Sequence, residues 1–389
     1  MNRTFIPAVD TITPRGWGVG SVGALSLVLG LTNSWTELVA IGMVSLTVFL
    51  VAFLWSFGRI GHRVLLNLST RRVTVGERAV GELVVVNPTN RTLPATAIEL
   101  SVGSTVASFA AGRIAAGEEY TEPFGITTSR RGVVMVGPVR TVRGDPLGLI
   151  TRRQAWSDPD LLYIHPRIVR VSASNLGFLR DVEGGATQDF SSSDVSFHAL
   201  RDYIAGDDRR SIHWRTTAHA GKLMVRQFEE IRRAHLLIML DLSEEAWESA
   251  DEFEEGVSAV ASLAIATVRE TQEVSIMTQR GPLPASTKMS VLDSLSGVEL
   301  LSSAERLPEL TRQALVEVPQ ASVVVVVTGS QTPIVELSEI RGRLPVDIVS
   351  FGVRFDTAGN LERRTQGGFT LVSVPSLDDF ARGMRRLLG

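Results

Sequence analysis

Cysteine is absent from this chain of 389 residues. Its absence excludes disulfides, thiolate zinc sites and a cysteine nucleophile together, and leaves the redox compartment open. Lysine is almost absent as well, with only Lys222 and Lys288, so arginine carries nearly all the positive charge. We read that bias as coding usage, since arginine enrichment alone has no single physical cause. The formal net charge of -3 provides no overall field that would draw in nucleic acid. No Gly-x-x-x-x-Gly-Lys-Ser/Thr loop and no Gly-x-Ser-x-Gly elbow occurs, so P-loop nucleotide chemistry and the usual serine-hydrolase turn lack support. His213 and His219 stand six apart. That spacing puts them on different helix faces, unlike the i, i+4 pair that shares a metal.

What the chain has in quantity is apolar sequence near its start. Trp17 to Leu31 and Leu38 to Phe57 are charge-free runs joined by the short link Thr32 to Glu37. The second matches the roughly 20 residues that cross a hydrocarbon core, and the two together predict a transmembrane helical hairpin over 16–58. Gly16, Gly20, Gly23 and Ala24 put small residues along one side of the first helix, where a second helix can approach closely. A signal peptide is the weaker reading, because a second apolar run follows and Asn33-Ser34-Trp35 replaces a cleavage site. Arg3 and Arg15 precede the first run, Arg59, Arg63, Arg71 and Arg72 follow the second, and the link has no arginine. Arginines near span ends stay in the cytoplasm. The expectation is a two-pass membrane protein, with residues 1–15 and the soluble body cytoplasmic and the lipid bilayer as its first partner.

Residues 70–150 alternate apolar and polar in short runs, among them Arg72 to Val75, Gly81 to Asn87, Thr96 to Ser101 and Val133 to Val142. Turn signals such as Asn87-Pro88-Thr89-Asn90 and Gly144-Asp145-Pro146 separate them. This predicts an immunoglobulin-like β-sandwich. The segment has no histidine and its acids are scattered, so it reads as a spacer or interaction domain. Residues 151–234 form a separate segment with a polar loop, Gly184 to Ser193.

From residue 235 to 389 strand and helix patterns alternate. Leu236 to Leu240, Val274 to Met277, Val323 to Val327 and Val346 to Phe351 are buried-strand runs, and five consecutive valines suit only a strand covered on both faces. Helical patterns cover about Glu244 to Arg269, Ala304 to Val316, Ile334 to Arg341 and Leu377 to Leu388. The expectation is a doubly wound α/β sheet, with its ligand crevice at the strand carboxyl ends where strand order reverses. Asp241-Leu242-Ser243-Glu244-Glu245 ends the first strand and resembles the first metal loop of von Willebrand factor A domains. Asp241, Ser243 and Glu245 are therefore candidate magnesium ligands, although Glu245 replaces a serine and Thr328-Gly329-Ser330 lacks the expected aspartate. A competing reading has Asp241 capping the following helix.

The densest stretch is Arg201 to Glu229. With Asp145-Pro146-Leu147-Gly148-Leu149 upstream, its Arg201, Tyr203, Gly206-Asp207, Arg210, Ile212, Trp214, Ala218, Leu223 and Val225-Arg226-Gln227-Phe228-Glu229 resemble the bacterial domain of unknown function 58 family. One departure is Ser196, where an acid is expected before Phe197. The resemblance implies membrane anchoring, a β-sandwich, a von Willebrand factor A-like domain and work beside MoxR-type AAA+ ATPases. It thus implies an adaptor or assembly factor that acts on a protein partner, either such an ATPase or a membrane complex.

Read from residues alone, Asp207 is a candidate N-cap for a helix from Asp208 to about Ala220, closed by Gly221. Trp214 and Tyr203 would anchor that helix against the sheet. Arg209, Arg210, Arg215 and Arg226 either pair with Asp207, Asp208 and Glu229 or present guanidinium forks to a carboxylate or phosphate partner. Tyr203, Trp214 and Phe228 are the only aromatics nearby, too few for a nucleic-acid platform. No catalytic constellation emerges, and a magnesium-dependent ligand-binding or hydrolytic domain is the alternative to the adaptor.

Overall fold

The computed structural model describes residues 11–56, 63–171, 195–204, 207–208, 212–230 and 234–388. It divides into two compact units, Met1–Ile164 and His165–Gly389.

The first unit opens with two antiparallel helices, α1 (Pro14–Asn33) and α2 (Thr36–Ser56). Thr13 caps α1 by accepting the Gly16 N–H at 3.1 Å, and Pro14 stands at its first position, where no N–H is needed. Ser34 ends the helix in the left-handed conformation. The pairing uses small residues on both partners. A Cβ on Gly30 would lie 2.7 Å from the Val39 nitrogen, one on Gly42 2.7 Å from the Leu27 nitrogen, and one on Gly23 3.0 Å from the Ser45 Cβ. The predicted small-residue face is corrected at one position, since Gly16 faces the Leu149 carbonyl and not α2. By length and composition α2 is apolar enough to cross a membrane. The glycines of α1 dilute its apolar character.

The sandwich follows, from β1 (Arg63–Leu68), β2 (Arg72–Thr74), β3 (Arg78–Val86), β4 (Thr96–Val102), β5 (Thr105–Ala111), β6 (Glu119–Thr127), β7 (Gly132–Gly144), β8 (Thr151–Ala155) and β9 (Asp160–His165). One sheet runs β1-β3-β6 and the other β2-β9-β7-β4-β5, with β8 on β7. Leu83, Val85, Ile98, Leu100, Val136, Val139 and Leu162 fill the space between them. The expected edges at 70 and 150 both fall short. β1 lies before the first, and β8 and β9, beyond the second, pair back onto the long β7. The Asp145 to Leu149 turn has a local logic. The Asp145 carboxylate accepts the N–H groups of Leu147 at 2.9 Å and Ile150 at 2.6 Å, and Gly148 takes φ +67°. The turn thereby offers the Leu149 carbonyl to the Thr13 N–H at 3.0 Å, while the Thr13 hydroxyl donates to the Gly148 carbonyl at 2.7 Å.

In the second unit β10 (Val195–Asp202) and β11 (Met224–Glu230) form an antiparallel pair with α3 (Trp214–Ala220) between them. The main sheet holds seven strands: β12 (His235–Leu240), β13 (Glu273–Thr278), β14 (Gly281–Leu283), β15 (Val323–Thr328), β16 (Val349–Phe355), β17 (Glu362–Gln366) and β18 (Phe369–Val374). Their order is β14-β13-β12-β15-β16-β18-β17, parallel throughout except at the two edge strands. Side chains leave successive strand positions on opposite faces, and β12 shows the consequence. Leu236, Ile238 and Leu240 join a core under α4 (Ala250–Arg269), α5 (Lys288–Ser296) and α8 (Leu377–Leu388), while Leu237 and Met239 join one under α6 (Leu307–Glu317) and α7 (Ile334–Arg343). The valines of β15 divide the same way. The sheet is therefore doubly wound, as its pattern predicts.

The long helix differs from expectation. A short 3-10 turn, Glu244–Ala246, precedes it, and α4 starts at Ala250 with Ser249 as cap, accepting the Glu252 N–H at 3.2 Å. From Gly256 to Thr267 every residue is buried, where the sequence predicts an amphipathic helix. The chain after His165 contributes to that cover. Val169 donates its N–H to the Ser262 hydroxyl at 3.0 Å, and Val169 and Val171 pack on the core.

Candidate functional site

The strand order reverses between β12 and β15, so the carboxyl ends of these strands mark the place where open α/β sheets hold ligands. Asp241 leaves β12 there, 3% exposed. Three loops converge on its carboxylate. Oδ1 accepts the Ser243 N–H at 3.0 Å and the Gln279 amide at 2.8 Å, and Oδ2 accepts the Thr328 hydroxyl at 2.9 Å. Gln279 follows β13, and its carbonyl oxygen accepts the Leu242 N–H at 2.9 Å, which fixes the amide orientation. Thr328 ends β15 and shares a 2.5 Å hydrogen bond with Thr332. Burial raises the Asp241 pKa from its ordinary value; the bonds from Ser243, Thr328 and Gln279 oppose that rise only in part.

The crevice above this carboxylate is filled. The Trp247 indole donates to the Asp241 carbonyl at 3.1 Å, and the ring stacks edge-on to Phe253 at 5.3 Å. Gly329, just past β15, lies so close to Trp247 that a Cβ there would come 2.8 Å from the Trp247 Cα. A second buried carboxylate, Glu252, closes the rim from α4. It accepts the Ser330 N–H at 2.8 Å and the Glu248 N–H at 2.6 Å.

This donor set does not fit a divalent ion. It offers one carboxylate whose two oxygens already receive N–H and O–H donors, and the Gln279 amide points its hydrogens at that carboxylate. Glu245 stands exposed on the 3-10 turn, and Ser243 is half-buried, bridged to Leu301 through its backbone. Among the described residues no group of three or more histidines and acids is placed to hold a metal. The capping alternative is corrected too: Asp241 closes a two-residue turn onto Ser243, and the cap of α4 is Ser249. The residues that sequence reading missed are Gln279, Glu252 and Trp247. A Ser-x-x-Glu run at 249–252 signals a helix start, but nothing local points from Gln279 to Asp241, 38 residues away.

The Arg201 to Glu229 stretch builds a different kind of surface. Gly206, Arg209 and Arg210 lie outside the described residues, and of Arg201, Arg226 and Glu229 only the strand backbone is described. Asp207 does not cap a helix; its carboxylate turns back to accept the Ile204 N–H at 2.9 Å. The helix is shorter than predicted, with His213 as cap and Gly221, at φ +67°, closing it as expected. Tyr203 is half-buried and pairs through its N–H with the Leu223 carbonyl at 2.9 Å. Trp214, predicted to anchor the helix, is instead 65% exposed, and Ile204 at 65% and Leu223 at 41% are exposed on the same module.

Residues 199–292, which hold both this module and the Asp241 loop, match the family described as Protein of unknown function DUF58. The Uncharacterized protein YeaD of Bacillus subtilis is 31% identical over 126 residues, 32% of this chain and 30% of the relative. The match therefore spans less than a third of that relative's length. Among solved structures, the CARDB domain of the PF1109 protein from Pyrococcus furiosus overlaps 26% of this chain and 91% of its own, at 15% identity and a TM-score of 0.21. The alkylpurine DNA glycosylase AlkC of Pseudomonas fluorescens overlaps 38% of this chain and 46% of its own, at 10% identity and a TM-score of 0.22. Likenesses of that size carry no weight for fold or site. Over residues 199–292, the chain is thus similar to the DUF58 family.

Proposed function

We propose that this chain is a membrane-anchored adaptor that works by docking a protein partner on its cytoplasmic body. The observation that carries the reading is the exposed trio Ile204, Trp214 and Leu223 on the module that holds the family motif. A tryptophan left in water at the head of a helix is costly unless a partner covers it, and tryptophan is among the residues that dominate binding energy at interfaces. The filled crevice at Asp241 supports the same reading, because it leaves a small-molecule substrate no room at the usual place. The magnesium-dependent alternative has less support for that reason, although the strand order and the Asp241 loop remain compatible with a von Willebrand factor A-like origin.

The anchor in this reading is a two-pass hairpin with both ends cytoplasmic. Its support is that α1 and α2 both turn large apolar side chains outward, among them Trp17, Leu25, Leu31, Met43, Val44 and Leu54. The arginine distribution at the helix ends supports the orientation. The partner we assign is a MoxR-type AAA+ ATPase. Full-length chain in detergent, titrated with the purified ATPase, tests it. Trp214→Ala with Leu223→Ala should weaken capture by about tenfold or more, as expected when a hot spot is truncated. Unchanged capture by that variant would discard the docking surface, and no capture by either form would discard the ATPase as partner.

A further inference from the structure

β17 is the last strand of the seven-stranded sheet, and all five of its residues are exposed. Among the described residues no strand neighbours its outer edge, whose backbone N–H and C=O groups form the arrangement to which an extended peptide adds. Beside it, between β17 and α8, lies a concavity of about 590 Å³ lined by Leu361, Arg363, Arg382, Arg385 and Arg386. Four guanidinium groups thus share one hollow whose lining, among the described residues, includes no acid.

Two of the four are tied down. Arg386 donates to the Leu361 carbonyl at 2.7 Å, and Arg382 pairs with Asp379. Arg363 and Arg385 form no ion pair among the described residues. The contrast along the strand is informative: Arg364, on the opposite face of β17, is matched by Glu362 at 2.9 Å, while Arg363 shares its hollow with Leu361 and three other arginines. The dipole of α8 accounts for basic residues in its last turn, but not for a further arginine brought in from the strand. With Arg382 matched by Asp379, three guanidinium charges remain unmatched among the described residues and repel one another until an anion joins them, and guanidinium forks are suited to carboxylates.

We infer that this edge binds an extended acidic peptide of a partner protein, which would add as a strand beside β17 and place alternate carboxylates against Arg363 and Arg385. An edge strand and a hollow open along its length favour a chain of several residues over a single small anion. The assignment is independent of the Trp214 surface and of the identity of any ATPase.

The test is fluorescence anisotropy of a labelled peptide of about eight residues, with glutamate at alternate positions, titrated with full-length chain in detergent. A second peptide of the same charge carries proline at the positions between. Binding should weaken by about tenfold or more in Arg363→Glu/Arg385→Glu, should persist in Arg364→Glu, and should be lost for the proline peptide, which cannot pair with an edge. Equal binding of the two peptides, binding unmoved by the double reversal, or binding only of inorganic phosphate or of phosphatidylglycerol vesicles would each overturn the inference. All three changed side chains are exposed, and circular dichroism checks that the variants fold. ATPase capture measured on the same variants separates this surface from the Trp214 one: a failed peptide titration with capture intact removes the β17 site alone.

Discussion

The Thr328 hydroxyl donates a 2.9 Å hydrogen bond to the Asp241 carboxylate across 87 residues of sequence, joining the ends of the two central strands. Both residues are buried, so neither has water as a substitute partner. Thr328→Val keeps the shape and removes the donor, and should lower unfolding stability by about 1–3 kcal/mol, the usual range for a buried acceptor left short of a bond. Urea denaturation of the detergent-solubilised chain, followed by tryptophan fluorescence, reads it. A loss below about 0.5 kcal/mol would mean that Ser243 and Gln279 hold Asp241 without it.

Asp241 also sets a direction for pH. Its folded-state pKa is raised above 3.8 by burial, opposed only in part by its hydrogen bonds. Folded chain therefore keeps a proton that unfolded chain releases, so this group's contribution is full below about pH 3.8 and declines as pH rises from there through the raised folded value. Asp241→Asn cannot ionise, and its stability should decline less over that window than the wild type does. Parallel profiles for the two proteins would show that the carboxyl ionises in place without cost.

Gly329 is the tightest point of the closed rim. Gly329→Ala puts a Cβ against the Ala246 carbonyl and 2.8 Å from the Trp247 Cα. The expected cost is about 1–3 kcal/mol, typical of overpacking, with a change in the near-ultraviolet signal of Trp247. Wild-type stability and spectrum in this variant would mean that the Trp247 loop yields easily and that the crevice can open.

The absence of cysteine makes topology simple to measure. Ser34→Cys, between the two helices, should react with a membrane-impermeant maleimide on intact cells, while Ser104→Cys, exposed on the sandwich, should react only after the membrane is broken. The reverse pattern would invert the orientation. Protection of both sites in intact cells would leave α1 outside the bilayer core.

The buried strands were the most legible part of the chain, because β12 and β15 are apolar at every position and only a sheet covered on both faces accommodates that. β5 and β6 were not legible: their alternate residues are only half-buried, so polar side chains are tolerated on both faces and the period-2 contrast fades. α4 was misread as amphipathic because the segment that lies over it, Val169 and Val171 with a bond to Ser262, comes from some 90 residues earlier. Asp241 was visible as an acid at a strand end, but its character depends on Gln279 and Thr328, which meet it only in the folded sheet. Trp214 was misplaced for a simpler reason. A large aromatic in an otherwise polar motif reads as an anchor, and sequence alone does not tell whether the folded chain covers it.

The bonds from Thr13 to Gly148 and Leu149 bear on how the first unit behaves as a mechanical object. They clamp the start of α1 to a turn of the sandwich whose own shape Asp145 locks, and Ala52, Val48 and Phe49 of α2 pack with Leu149 and Ile150 of the same region. The helix pair thus grips the sandwich at two places. A tilt of the helices is transmitted to the sandwich as a tilt, and a pull on the sandwich is felt at the head of α1: the helix pair is a bracket, able to bear torque, where a single flexible tether would only swivel.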